Sequence, residues 1–220
     1  MAKTLTQFLA DLRGYLAKGK VKGARKTFDK AKKAGHSGAP LEEALLELLL
    51  AEGGGAAAAE QLRAIARTAD SRLPAAVKHA ESHLRKEKDD HVLRDAVWEA
   101  CLSTGQYDGA LKHLQALHAA GAVDGAARAK TLLDRKDSHG AGGLFALASI
   151  GALKTDRIKL ADRMLGNAQA SQVLAGVVEA LHAQGIQDGA VHYVLAQLAN
   201  RQGDKERFLE HAGHAFEENP

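Results

Sequence analysis

Histidine, cysteine and lysine are the residues here best suited to chemistry, and each occurs in a pattern that can be weighed. Among eleven histidines, His79 and His83 are four apart and His211 and His214 three apart, so each pair can share a helix face. Zinc needs three or four protein or water ligands, and no further Cys or His completes either pair at a usual spacing. No metal site is expected. His79-Ala-Glu-Ser-His83 also differs from the His-Glu-x-x-His of metalloproteases, because Glu81 stands one place late. Cys101 is the single cysteine. A thiol nucleophile needs a histidine partner, whereas Cys101 stands between Ala100 and Leu102 and reads as a packing residue. Gly140-Ala-Gly-Gly143 could hold a phosphate at a helix start. It lacks Gly-Lys-Ser/Thr and follows a helix rather than a strand, so it reads as a flexible turn. Trp98 lies on an apolar segment and reads as core. No catalytic residue and no cofactor follow from these patterns, and an enzyme is not expected.

Charge gives a stronger signal. Residues 1–35 hold ten Lys or Arg against Asp11 and Asp29, a local net of +8, while the whole chain nets only +3. Lys22, Lys26, Lys30 and Lys33 recur on one helical face with Arg25 beside it, opposite an apolar stripe of Val21, Ala24, Phe28 and Ala31. Such a face suits phosphate-rich partners: nucleic acid, anionic membrane lipid or an acidic peptide. It lacks the interleaved aromatics of base-stacking surfaces. The competing reading is a solvated helix face.

The elements that carry these residues are helical. Apolar residues make up 45% of the chain but aromatics only 4%, so a core must be built from Ala, Leu and Val, which suits closely stacked helices. Leu5, Phe8, Leu9, Leu12, Tyr15 and Leu16 follow the i, i+3, i+4, i+7 rule. So do Leu41, Ala44, Leu45, Leu48 and Leu49 behind Pro40, which suits a first helical turn. Ala58, Leu62, Ile65 and Ala69 mark a fourth helix, and Val77, Ala80 and Leu84 a fifth behind Pro74. Further stripes run through Leu93–Ala100, Ala110–Leu117, Leu132–Leu133, Leu144–Leu153, Ile158–Leu165, Val173–Leu181, Ala190–Ala199 and Phe208–Phe216. The expected fold is all-α, about thirteen short helices in antiparallel hairpins. It reads as one array over 1–220, with possible sub-units 1–72 and 73–220. No run reaches the ~20 apolar residues needed to span a bilayer. With a lone cysteine and no apolar leader in the first residues, a soluble cytoplasmic protein is expected.

The turns share a pattern, Gly-x-x-x-Gly-Ala, at Gly19–Ala24, Gly105–Ala110, Gly121–Ala126 and Gly185–Ala190. The first Gly can end a helix in the left-handed conformation. Asp108, Asp124 and Asp188 can cap the following helix. The Ala can let two helices approach closely. On these residues the chain resembles the tetratricopeptide repeat, a helix–turn–helix unit with a small residue in the turn, an aromatic soon after and Ala at the close-packing point. Residues 91–122 are similar through Gly105, Tyr107, Ala110, Leu114 and Leu117. Residues 5–36 are similar through Tyr15, Gly19, Ala24, Phe28 and Ala31. Residues 189–220 are similar through Ala196, Gly203, Ala212, Ala215 and Pro220. Trp98, Leu12 and Phe208 depart from the pattern, where the family prefers small residues.

The resemblance implies a right-handed superhelical scaffold that holds a partner protein or peptide in a groove. Carried onto the last repeat, the groove positions are Tyr193, Gln197, Asn200 and Arg201. Their i, i+4, i+7, i+8 spacing puts an aromatic, two amides and a guanidinium on one face. The expected function is thus a non-enzymatic adaptor. The second expectation is binding of nucleic acid or an anionic membrane surface through the basic N-terminal hairpin.

Overall fold

A computed structural model describes residues 3–68 and 71–218. The described residues form thirteen α-helices and no strand: α1 (Leu5–Ala17), α2 (Val21–Lys33), α3 (Ala39–Ala51), α4 (Gly55–Arg67), α5 (Leu73–Leu84), α6 (His91–Ser103), α7 (Tyr107–Ala119), α8 (Gly125–Arg135), α9 (Ser138–Ser149), α10 (Arg157–Leu165), α11 (Ala168–Ala183), α12 (Gly189–Gln202) and α13 (Lys205–Glu218). Two of the residues singled out in the sequence, Ala69 and Pro220, lie outside the described set.

The starts of these helices follow from side-chain capping. Thr4 and Gln7 form a reciprocal capping box at α1. Asp90, Asp124, Asp137, Asp156, Asn167 and Asp188 each accept a backbone N–H in the first turn of the helix they precede. Each such cap is worth about 1 kcal/mol. The opening glycines of the four repeated turns all have positive φ, 66° at Gly19, 74° at Gly105, 65° at Gly121 and 82° at Gly185, as helix termination by glycine requires.

The chain divides into two compact units, 1–104 and 105–220. In the first, each helix packs on its successor or on the next but one: α1 on α2 and α3, α3 on α4 and α5, α4 and α5 on α6. This is the contact pattern of stacked hairpins. Its N-terminal core joins Leu12, Ala24, Phe28, Ala31, Leu41, Ala44 and Leu48. Helix α3 is covered on more than one side, so Leu46 and Leu50 are buried while Leu45 and Leu49, expected inward, are half-buried. Arg63 ties α4 to α6 through Asp95 at 2.8 Å and Glu99 at 2.9 Å.

In the second unit, α8 packs on α9, α9 on α10 and α11, α10 on α11 and α12, and α12 on both α11 and α13. Helix α7 breaks the order by packing on α11. Gly176 makes that possible: a Cβ there would fall 2.1 Å from the Tyr107 ring. The unit boundary falls inside the repeat-like stretch 91–122, with α6 in the first unit and α7 in the second.

Three local expectations are corrected. Gly140–Gly143 is not a turn but the interior of α9. A Cβ on Gly142 would meet Val173 of α11 at 2.6 Å, and one on Gly140 would meet the Leu132 carbonyl oxygen at 2.4 Å. These glycines are helical because α9 is pressed against its neighbours, and that packing outweighs their poor intrinsic propensity. Asp108 is not a cap. It stands in the first turn of α7 and accepts from Lys112 at 2.6 Å and from the Gln184 amide of α11 at 2.6 Å. Ala126 is exposed, and Gly125 takes the close-packing role instead.

Candidate functional site

Helix α2 buries Ala24, Phe28 and Ala31 against Leu12, Leu41, Ala44 and Leu48. With that stripe fixed inward, the 100° step of the helix turns Lys22, Lys26, Lys30 and Lys33 to solvent, and all four are exposed. At 1.5 Å per residue they make a row about 16 Å long. Among the described residues no ion pair is recorded for any of the four.

Arginine and lysine divide the work here. The carboxylates of α3 and its end go to the arginines: Arg13 donates to Glu47 at 2.8 Å and lies 3.8 Å from Glu43. Arg25 donates from Nε to Glu52 at 2.8 Å and from a second N–H to the other oxygen. That paired donation holds the Glu52 carboxyl below its usual range. Arg25, counted with the lysine row in the sequence, is therefore half-buried with its charge matched, while its guanidinium lies over Phe28 at 5.9 Å. Lys22 and Lys26 border a shallow depression with Val21, Arg25, Ala51 and Glu52.

Helix electrostatics account for only part of the row. Lys30, Lys32 and Lys33 occupy the last turn of α2, where the helix dipole favours cations. Lys22 and Lys26 lie toward the opposite end, where it does not, and the first turn carries no acidic residue. Like charges at i, i+4 each cost about 0.2–0.5 kcal/mol. Fold stability therefore does not explain why this face carries four lysines with Asp29 as its single acid.

The second candidate lies on α12. Tyr193 and Gln197 are half-buried, Asn200 and Arg201 exposed. Tyr193 donates its hydroxyl to Asp162 of α10 at 2.6 Å, which pushes the phenol pKa up. Arg201 donates to the Leu165 carbonyl at 2.7 Å. Two of the four polar groups are thus tied to α10, while Gln197 and Asn200 lie between them on the same face.

The remaining candidates are placed as follows. Cys101 is fully buried, and desolvation pushes its thiol up to about 12. Trp98 is core, 1% exposed. His79 is exposed while His83 is turned inward, 3.8 Å from Asp90 and against Gly54, so this pair does not act together. His211 and His214 do come together, and with two histidines that the sequence did not single out, His182 and His192. Among the described residues no group of three His, Cys, Asp or Glu side chains is arranged to hold a metal ion, and no helix is long and apolar enough to cross a membrane.

No protein-family model matches the sequence, and no curated protein matches it at significant similarity.

Proposed function

We propose that this chain is a non-enzymatic binding scaffold of helical hairpins and that the lysine row of α2 receives an anionic partner. The observation that carries the proposal is the net positive row itself. Four exposed ammonium groups follow one face for about 16 Å, with Asp29 the single acid of α2 among them, while Glu47 and Glu52 are spent on Arg13 and Arg25. Lysine is a point charge on a flexible stem and suits contact with phosphates along a backbone or headgroup surface. The row has no aromatic side chain among its lysines, so recognition is of charge rather than of base identity.

A second reading, the adaptor that holds a partner peptide or protein on α12, is favoured by a specific feature. Tyr193 and Arg201 are held in place by α10, so they would lose little freedom on binding. Gln197 and Asn200 between them have the donors and acceptors to pair with an extended backbone.

Binding to duplex DNA and to phosphatidylserine vesicles at 50 mM salt tests the first reading. The parent protein should bind at least one of them. The variant with Lys22, Lys26, Lys30 and Lys33 all changed to Glu should keep its helical circular dichroism and bind neither. Equal binding by parent and variant would remove the lysine row as the site.

A further inference from the structure

The second unit gathers four imidazoles where α11, α12 and α13 meet. His192 of α12 and His211 of α13 are 6% and 5% exposed, and their Nδ1 atoms lie 3.1 Å apart. His182 of α11 stands with its ring 5.7 Å from that of His192 and 5.8 Å from that of His211. His214, one turn beyond His211, lies 4.8 Å from His192. His211 is the most buried residue of α13, while Leu209 and Phe216 of that helix are 68% and 72% exposed. Helix α13 is therefore docked with a histidine at its most buried position, flanked by half-buried Phe208, Ala212 and Ala215.

An Nδ1-to-Nδ1 hydrogen bond makes a strict demand. One ring must donate and the other must offer a lone pair. One added proton can be accommodated, because an imidazolium still donates to a neutral neighbour. A second proton leaves two N–H groups facing each other at contact distance, both charged and both out of water. We propose that this cluster is a proton-operated latch: mild acid charges His192 and His211 together and releases α13 from α12.

The surroundings favour release over compensation. From α11, His182 faces both rings and brings no negative charge to balance them. From α13, His214 and Glu218 face His192, and on α12 itself Asp188 does so. Each acid is already engaged. Glu218 accepts the Gly189 N–H, while Asp188 accepts the Val191 N–H and pairs with Arg157 of α10 at 2.6 Å. The one α10 carboxylate, Asp162, takes the Tyr193 hydroxyl. His211 is faced by Glu210 and Arg207 of its own helix as well as by His192 and His182. His214 has Glu217 at 3.9 Å. Burial first, and the neighbouring imidazoles after it, push protonation of both His192 and His211 below the ordinary imidazole range. A released α13 returns them to about 6.5. The docked state is thus fully favoured above about pH 6.5 and loses ground as pH falls below it.

Hydrogen exchange of the full chain, read by peptide and corrected for intrinsic rate, tests the latch at pH 7.5 and pH 5.0. Protection of α13 should drop by about tenfold or more, since each extra proton taken up on release changes the opening constant by up to tenfold per pH unit. Protection of α6, in the other unit, should hold. The variant His192→Gln with His211→Gln should lose this pH dependence whatever its protection at pH 7.5, so a loosened variant still answers the question. The latch is overturned if α13 protection in the parent is the same at both pH values. It is equally overturned if the double variant keeps the parental pH dependence, or if α6 loosens as much as α13.

Discussion

Alanine in place of Gly125 is the sharpest test of how the second unit is packed. Gly125 opens α8 and is buried. A Cβ there would lie 1.7 Å from the Ala152 carbonyl oxygen and 2.8 Å from its carbon. An ordinary contact is about 3.5 Å, so the Ala152 peptide would have to withdraw by on the order of 2 Å. The residue is not free to back away, because the Ala152 N–H, in the preceding peptide, donates to the Leu147 carbonyl at 3.0 Å and ties Ala152 to the end of α9. Overpacking of this kind costs about 1–3 kcal/mol. The same substitution at Gly213 of α13 meets nothing within 4 Å and should follow helix propensity, a gain of about 0.5–1 kcal/mol. The two variants therefore differ in sign as well as size. Urea titrations followed by far-ultraviolet circular dichroism would give both values on one scale. A Gly125→Ala protein as stable as the parent would show that α8 does not lie against the Ala152 peptide as described.

Three further outcomes follow. Ala110, 2% exposed on α7, should tolerate Leu poorly, at a cost of about 1–3 kcal/mol in the same titration. Tyr193→Ala should cost less than Ala110→Leu, because only a partly exposed ring and one surface hydrogen bond are lost; the reverse order would make Tyr193 a core residue and remove the α12 groove. Cys101, with its thiol raised to about 12 by burial, should resist a thiol reagent at pH 8 in the native protein and react fully in urea, and rapid native labelling would contradict its place in the core.

The helices were legible because their apolar stripes repeat at 3.6 residues and their turns carry Gly, Asp and Pro where caps require them. Gly19, Gly105, Gly121 and Gly185 were readable as helix ends for that reason, and so was the inward face of α2 from Ala24, Phe28 and Ala31. The lysine row followed directly, since fixing one face of a helix fixes the other. What could not be read depends on which helix lies next to which. Gly140–Gly143 reads as a turn from composition, yet it is helical, capped by Asp137 and packed at Gly142 against Val173 of α11. Asp108 looks like its counterparts Asp124 and Asp188, yet it serves Gln184, 76 residues away. The histidine cluster was invisible for a similar reason. Spacing paired His211 with His214, but His182 and His192 come from two other helices, and only the stacking of α11, α12 and α13 brings them together. Arg25 stands beside the lysines in the sequence pattern, and only Glu52 at the end of α3 and Phe28 beneath it set its role apart.

The most direct test of the proposed function is the salt dependence of duplex DNA binding by the intact chain, measured by fluorescence anisotropy from 50 to 200 mM salt. If the four lysines of α2 each displace a counterion, the logarithm of affinity should fall with the logarithm of salt at a slope of about −3 to −4, roughly a hundredfold over that range. Changing Lys22 and Lys26 alone to Gln should reduce the slope by about 2. A parent slope near zero, or an unchanged slope in the Gln variant, would contradict the assignment of the lysine row as the binding face.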